Sequence, residues 1–337
     1  METFDTILDW LIMHQIRLMQ LSVHYQAQAQ EELDRTEPEL GSIAASAAAL
    51  VARVGGLRVD DKRTLDQFDQ YKQEVMAVRR GGFSRSLAQL TTNLKQVQDY
   101  ERLFFSAALR AGGKNVNVPS AITEEALVMG HSVPQWQQRL LANDVHRISE
   151  NLAIGARLGE NEAAMRARLI GHASYGGRGG ATATARNELD TLVRTATDTF
   201  ADLARVNVNM ENPLVGKEIY VALLDSRTTE QCKDLHGTVY GANDGPRPPV
   251  HWYCRSTRIP LVGAGPQNLP SYRKWLNRLS TRDQDEVLGP RQGRAFREGT
   301  LDLQNFSEPN WRGIDLETMA KRESRVFEAA GMDVPFQ

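Results

Sequence analysis

Apolar positions recurring at steps of three and four residues run through most of this chain and predict helix after helix. From Phe4 to about Arg35, the positions Phe4, Ile7, Leu8, Leu11, Leu18, Ser22 and Tyr25 keep helical spacing, with Gln15 as a break. Trp10, Ile12, Met13 and Met19 widen the apolar face, so this helix packs between neighbours or docks on a partner. Pro38 and Gly41 predict its end, and Ser42 is placed to cap an alanine-rich helix that runs to Gly55-Gly56. Residues 61–111 predict two long helices broken at Gly81-Gly82. In the second, Leu87, Leu90, Leu94, Val97, Phe104 and Ala108 form a bundle or short coiled-coil seam, interrupted by the polar Glu101. Gly112-Gly113 and residues 114–120 predict a turn or loop. Ser132 and Pro134 mark the start of a helix buried through Trp136, Leu141, Val145, Ile148 and Leu152. A further helix starts at Thr182 or Thr184, carries Leu189, Leu192, Val193, Phe200 and Leu203, and ends near residues 208–213.

The period changes in one region. Residues 218–225 (EIYVALLD) are β-branched and apolar enough to form a buried strand. That strand delivers the chain to Asp225, where Asp225, Ser226 and Thr228 suit turns that start a short helix carrying Cys232 and His236. Gly237 supplies its stop, Thr238-Val239-Tyr240 predicts a second strand and residues 255–262 a third. Three prolines stiffen the loop 241–249. Beyond Pro266 the pattern is helical again, at 269–280 with Tyr272, Trp275, Leu276 and Leu279 inward, and at 283–288 before Gly289-Pro290. Phe306 and Trp311 anchor a loop, and a last helix runs from about Leu316 to Ala330. The glycine-rich run at 171–180 has neither the preceding strand nor the Lys-Ser/Thr pair of a phosphate cradle, and reads as a hinge. The expected fold class is therefore mainly α: a long helical N-terminal region (1–170), the hinge (171–180), a compact α+β module (181–265) and a helical tail (266–337).

Composition narrows the picture. The chain has 337 residues, 41% of them hydrophobic, enough for a sizeable core, and only 7% aromatic. A net charge of −2 argues against a protein whose main task is wrapping nucleic acid, although it leaves room for a local basic face. Two cysteines and no signal peptide point to a reducing cytoplasm, and the apolar run at the N-terminus is interrupted by Asp5 and Asp9. No membrane association is expected.

The candidate chemistry lies in residues 225–255, DSRTTEQCKDLHGTVYGANDGPRPPVHWYCR, which hold both cysteines. Cys232 and His236 stand at i, i+4, and His251 and Cys254 at i, i+3, so the four are a candidate tetrahedral zinc site of structural type. The alternatives are a metal-free packed or hydrogen-bonded module, and a disulfide between the cysteines. A metal-dependent nuclease using His251 with Asp225 or Asp234, and a cysteine hydrolase using Cys232 with His236 or His251, both require an open reactive group. The close sequence pairing of each histidine with a cysteine suits a closed site better, so no enzymatic activity is expected. Arg247, Arg255 and Arg258 beside Trp252 and Tyr253 also allow a nucleic-acid-binding zinc knuckle.

Three stretches, 192–205 (LVRTATDTFADLAR), 223–237 (LLDSRTTEQCKDLHG) and 246–260 (PRPPVHWYCRSTRIP), resemble the phage head morphogenesis or minor capsid proteins, the phage Mu protein F-like family. The stretch 272–306 is similar to an ending often seen on the same proteins. The resemblance matches Asp225, Arg227 and Thr228 to the family's Asp-Ser-Arg-Thr turn. It matches Cys232 and Gly237 to the following element, and His251, Cys254 and Arg255 to its Pro-Pro-x-His-x2-Cys-Arg block. His236 departs from it, since relatives often have aspartate there, which leaves His236, Asp225, Asp234 or a water as fourth ligand. Ser256 stands where many relatives have a further cysteine. The resemblance implies a low-copy structural protein of a tailed phage, made in the host cytoplasm and held inside the virion head near the portal. It would assist head assembly and DNA packaging or ejection. The implied partners are the portal protein, the major capsid or scaffolding protein, and packaged phage DNA.

Overall fold

The computed structural model describes the chain outside residues 55–61, 121–125, 173–178, 214–215, 224, 265–266, 304–310 and 337, and outside the side chains of 63–65. The fold is mainly helical, with one small antiparallel sheet. Its helices begin with α1 (Phe4–Asp34), α2 (Glu37–Val54), α3 (Lys62–Ala111), α4 (Val133–Arg157), α5 (Glu162–Ile170) and α6 (Ala181–Glu211). Then come β1 (Lys217–Val221), α7 (Glu230–Leu235), β2 (Val239–Gly241) and β3 (Thr257–Pro260). The chain closes with α8 (Tyr272–Arg278), α9 (Thr281–Leu288), α10 (Pro290–Arg297), α11 (Leu316–Arg322) and α12 (Ser324–Ala330). No helix among the described residues is long and apolar enough to cross a membrane.

Two compact units are present, and they interleave along the chain. One comprises Met1–Tyr25, Asn93–Met129 and Arg194–Gln337; the other comprises Gln26–Thr92 and Gly130–Val193. The consecutive regions 1–170, 181–265 and 266–337 expected from sequence do not follow these divisions, because α1, α3 and α6 each contribute residues to both units. Of the hinge expected at 171–180, residues 173–178 lie outside the described residues.

In the second unit, Leu40, Ile43, Ala44 and Ala47 of α2 pack with Val145, Ile148 and Leu152 of α4 and Met165 and Leu169 of α5. Pro38 does not end α1 but sits in the first turn of α2, where a missing N–H costs nothing. Gly41 and Ser42 lie inside α2, and the Ser42 hydroxyl donates to the Pro38 carbonyl (3.1 Å), so it caps nothing. Gly81-Gly82 do not break α3, which runs unbroken for 50 residues. A Cβ on Gly82 would lie 2.8 Å from Thr36 Cγ2 and 3.1 Å from the Glu32 carbonyl oxygen. The glycine there serves close helix packing. The α4 start is as expected: the Ser132 N–H donates to Gln135 Oε1 (2.9 Å). Arg79 donates from Nε to Asp144 (2.5 Å) and from Nη1 to Thr36 Oγ1 (2.8 Å), a buried tie among the α1–α2 turn, α3 and α4.

The first unit is centred on a buried charged network. His14 of α1 is fully buried and stacks on Phe104, with ring centroids 3.7 Å apart. Its Nε2 lies 2.5 Å from Glu101 Oε2 of α3 and its Nδ1 3.0 Å from Glu323 Oε2. Ionised carboxylates only accept, so both ring nitrogens donate and His14 is an imidazolium. Burial opposes that charge, but Glu101 and Glu323 outweigh it and raise the His14 pKa. Glu101 also accepts from Arg205 Nε of α6 (2.6 Å), and Glu323 from the Tyr100 hydroxyl (2.6 Å). The polar interruption read at Glu101 is thus a junction of three helices. Glu323 also separates α11 from α12, so the last helix expected from sequence is two.

The sheet has the order β2-β1-β3, with Ile219 opposite Val239 on one side and opposite Ile259 on the other. Beneath it, fully buried Glu218 accepts from Arg247 Nη1 (2.8 Å) and Asn209 Nδ2 (2.9 Å) and pairs with Arg258 Nε (3.1 Å). These contacts fix β1 against α6.

Candidate metal centre

The site begins where β1 runs out. The Thr228 hydroxyl accepts from the Asp225 N–H (3.0 Å) and donates to the Leu223 carbonyl (2.5 Å), while Asp225 Oδ1 accepts from the Arg227 N–H (2.9 Å). This closes the Asp-Ser-Arg-Thr turn on itself. The buried Asp225 carboxylate also takes both guanidinium nitrogens of Arg255 at 2.7 and 2.5 Å. A two-pronged pair of this kind fixes orientation as well as distance. Because Arg255 follows Cys254, the pair draws the second cysteine toward the helix that carries the first.

That helix is α7. Thr229 is its N-cap, its hydroxyl accepting from the Cys232 N–H, and Cys232 points inward one turn along. The cluster is tight: Cys232 Sγ is 3.1 Å from His251 Nε2 and 3.8 Å from Cys254 Sγ. Both thiols are free and buried. His251 Nδ1 is 2.8 Å from the Trp252 carbonyl oxygen. A carbonyl only accepts, so Nδ1 holds the proton and Nε2 turns its lone pair toward the sulfurs and Thr229 Oγ1 (2.9 Å). The Tyr220 hydroxyl lies 3.5 Å from Cys232 Sγ. Hydrogen bonding from the Cys254 thiol first, then from Ser256, Tyr220 and Thr229, outweighs burial and holds Cys232 down at about 4. The same sulfur–sulfur bond and burial push Cys254 up.

These residues fit a metal ion. The donor atoms of Cys232, His251 and Cys254 all lie within 4.8 Å of one another. Two thiolates at about 2.3 Å from one tetrahedral zinc stand about 3.8 Å apart, which is the sulfur separation found. The imidazole already carries its proton on the nitrogen that faces away, held by a backbone carbonyl as metal-ligating histidines commonly are.

The expected fourth ligand, His236, is not in the cluster. α7 stops at Leu235, His236 has extended backbone (φ −59°, ψ 128°), and its Nδ1 accepts from the Ala222 N–H (3.1 Å). Gly237, at φ +83°, completes that stop. The i, i+4 relation to Cys232 fails because the helix ends first. Asp225 is engaged by Arg255, and Asp234 is exposed and outside the cluster. A cavity of about 20 Å³ beside Cys232, His251 and Ser256 has room for about one water molecule. The supports that sequence reasoning passed over are Thr229 and Tyr220. Thr229 carried a helix-cap signal, and Tyr220 alternates inward on a recognised strand.

The arginines read as a nucleic-acid stripe are engaged internally. Arg247 donates to both oxygens of Asp202 (2.9 Å each) as well as to Glu218, Arg255 holds Asp225, and Arg258 is buried on Glu218 and the Gly241 carbonyl. Trp252 and Tyr253 remain partly exposed, with the Arg194 guanidinium 5.5 Å from the Tyr253 ring centroid.

Ser256 offers a direct test. With Ser256→Cys a third thiol enters the cluster, and zinc affinity is expected to rise at least about tenfold in a competition titration, since even outer supporting groups shift affinity by about 10–100-fold. Unchanged affinity would place Ser256 away from the ion.

No curated protein and no solved structure matches the chain. The profile of a family described as Phage Mu protein F like protein matches residues 121–259, a span that holds β1, α7 and the whole Cys232–His251–Cys254 cluster. Over that span, less than half of its length, the chain is similar to the phage Mu protein F-like family.

Proposed function

We propose that this protein is a structural minor head protein of a tailed bacteriophage, which docks on the portal during head assembly and remains inside the virion. The observation that carries the reading is the Asp225–Arg255 pair. The family-like turn and the family-like His-x2-Cys-Arg block hold each other in place, and the Cys/His/Cys cluster is the product of that clamp. The clamp ties short elements into one unit, which supports a structural role. Zinc is the ion proposed, held by Cys232 Sγ, Cys254 Sγ and His251 Nε2; when bound it supplies cross-linking of the β1–α7 turn to the β3 approach. The portal protein is the proposed partner, with the major capsid or scaffolding protein and packaged DNA as neighbours, and the host cytoplasm is the place of assembly.

The test is made on particles. Mass spectrometry of purified virions is expected to find the chain at low copy number, and tagged full-length protein is expected to co-purify with portal protein. Loss of the gene with unchanged virion composition and infectivity would remove the proposal.

A further inference from the structure

A second concave region lies within the first unit, formed by α1, α8, α9, α11 and α12. It is a cleft of about 710 Å³. Arg278 and Arg282 reach it from α8 and α9, Lys321, Arg322 and Arg325 from α11 and α12, and Trp10 lines it from α1. The whole chain is slightly acidic, so this excess of cations does not follow from composition.

The carboxylates at the cleft are already engaged. Asp9 receives Arg278 Nη2 (2.6 Å), Asp283 receives the Ser280 hydroxyl (2.7 Å), and Glu323 lies buried under His14 and Tyr100. On the cationic side, Arg322 shares Glu286, and Lys321 meets only the exposed Glu317, a pairing worth little in water. Arg282 and Arg325 are exposed and have no partner among the described residues. Two open guanidiniums therefore face one cleft, backed by four further cations, Arg17, Arg278, Lys321 and Arg322.

A groove that receives a protein segment usually concentrates apolar side chains at its centre and is depleted in charge there. This cleft has a different character, with charged and polar side chains making up most of its lining and Trp10, Met13, Leu279 and Val326 its apolar part. Guanidinium forks match phosphate oxygens, and an aromatic ring beside a basic track is how unpaired bases are held without sequence preference. We infer that the cleft lined by Arg282, Arg325 and Trp10 binds the phosphodiester backbone of a single-stranded nucleic acid. The site is separate from the Cys/His/Cys cluster and does not depend on the head-assembly reading.

The experiment is fluorescence anisotropy of the full chain with a labelled oligothymidylate of about 20 nucleotides, beginning near 50 mM salt and raising it stepwise. The wild type is expected to bind with a steep salt dependence. Arg282→Ala with Arg325→Ala should weaken binding about tenfold and make the slope of log K against log salt shallower by about 1.4, the value for two phosphate contacts on a single strand. Arg282→Lys with Arg325→Lys should keep the slope, and thermal melting should be the same for all three proteins, since both side chains are exposed. A wild type that does not bind, or an alanine pair that binds like wild type, overturns the inference. Displacement of the oligonucleotide by polyglutamate of equal charge as effectively as by unlabelled oligonucleotide would reassign the cleft to an acidic protein. Equal or tighter binding of a duplex would overturn the role given to Trp10.

Discussion

Glu101→Ala is expected to cost about 3–5 kcal/mol of unfolding free energy, because it strands two buried cations, the imidazolium of His14 and the guanidinium of Arg205. In a melting experiment this is a fall of roughly 10 °C. The pH dependence gives a second signature. Burial works against ionised Glu101, but Arg205 and His14 outweigh it and hold its pKa at about 2, below the 4.5 of a free glutamate. A carboxylate whose pKa is depressed by folding contributes stability that is complete above its unfolded value and is lost as pH falls through its folded one. Wild-type stability should therefore drop between about pH 4.5 and pH 2, and the variant should lack this part of the acid limb. His14 has the opposite sign: its pKa is raised, so its contribution is complete below the ordinary histidine value of 6.5 and is lost as pH rises through the folded one. A variant that melts within a degree or so of wild type would show that the network is dispensable.

The second large effect concerns the ion. With free zinc about 1,000-fold above Kd, binding to the folded state alone stabilises by about 4 kcal/mol. Full-length protein stripped with chelator is thus expected to melt roughly 10 °C lower than zinc-loaded protein, and readdition should restore it. Cys254→Ser should abolish that response and leave less than a tenth of the wild-type zinc, on the order expected when a main ligand is lost. The serine variant separates the metal from the alternative in which the two thiols merely share a hydrogen bond. If zinc leaves the wild-type melting curve where it was, the cluster is metal-free.

Much of the architecture could be read from residue patterns, and the failures share a physical origin. The strand at 218–225 was legible because its β-branched, apolar run is unlike the helical spacing on either side, and the observed β1 spans its first part. The sheet order was not legible, since nothing local tells β3 to cross to the other side of β1. Gly82 and Pro38 misled for a related reason: their preferences are local, while Gly82 answers to the Glu32 carbonyl on another helix. At the candidate metal centre, spacing and resemblance together single out Cys232, His251 and Cys254, which the fold brings close to one another. His236 was not excluded, because the i, i+4 argument assumes a helix one residue longer than the one that forms. The Asp225–Arg255 pair was invisible as a contact, although each residue had been singled out separately.

The interleaving of the units bears on how the gene can be cut. The stretch that carries the resemblance, 121–259, borrows its surroundings from distant parts of the polypeptide. Asn117 and Asn212 exchange hydrogen bonds, and Ile12 and Ile16 line one small cavity with Val221 and Leu223. Glu101 reaches Arg205 from the far end of α3. A subclone limited to the conserved-looking stretch would lack those walls and expose apolar faces to solvent, so insolubility of such a truncation would say nothing about the intact protein.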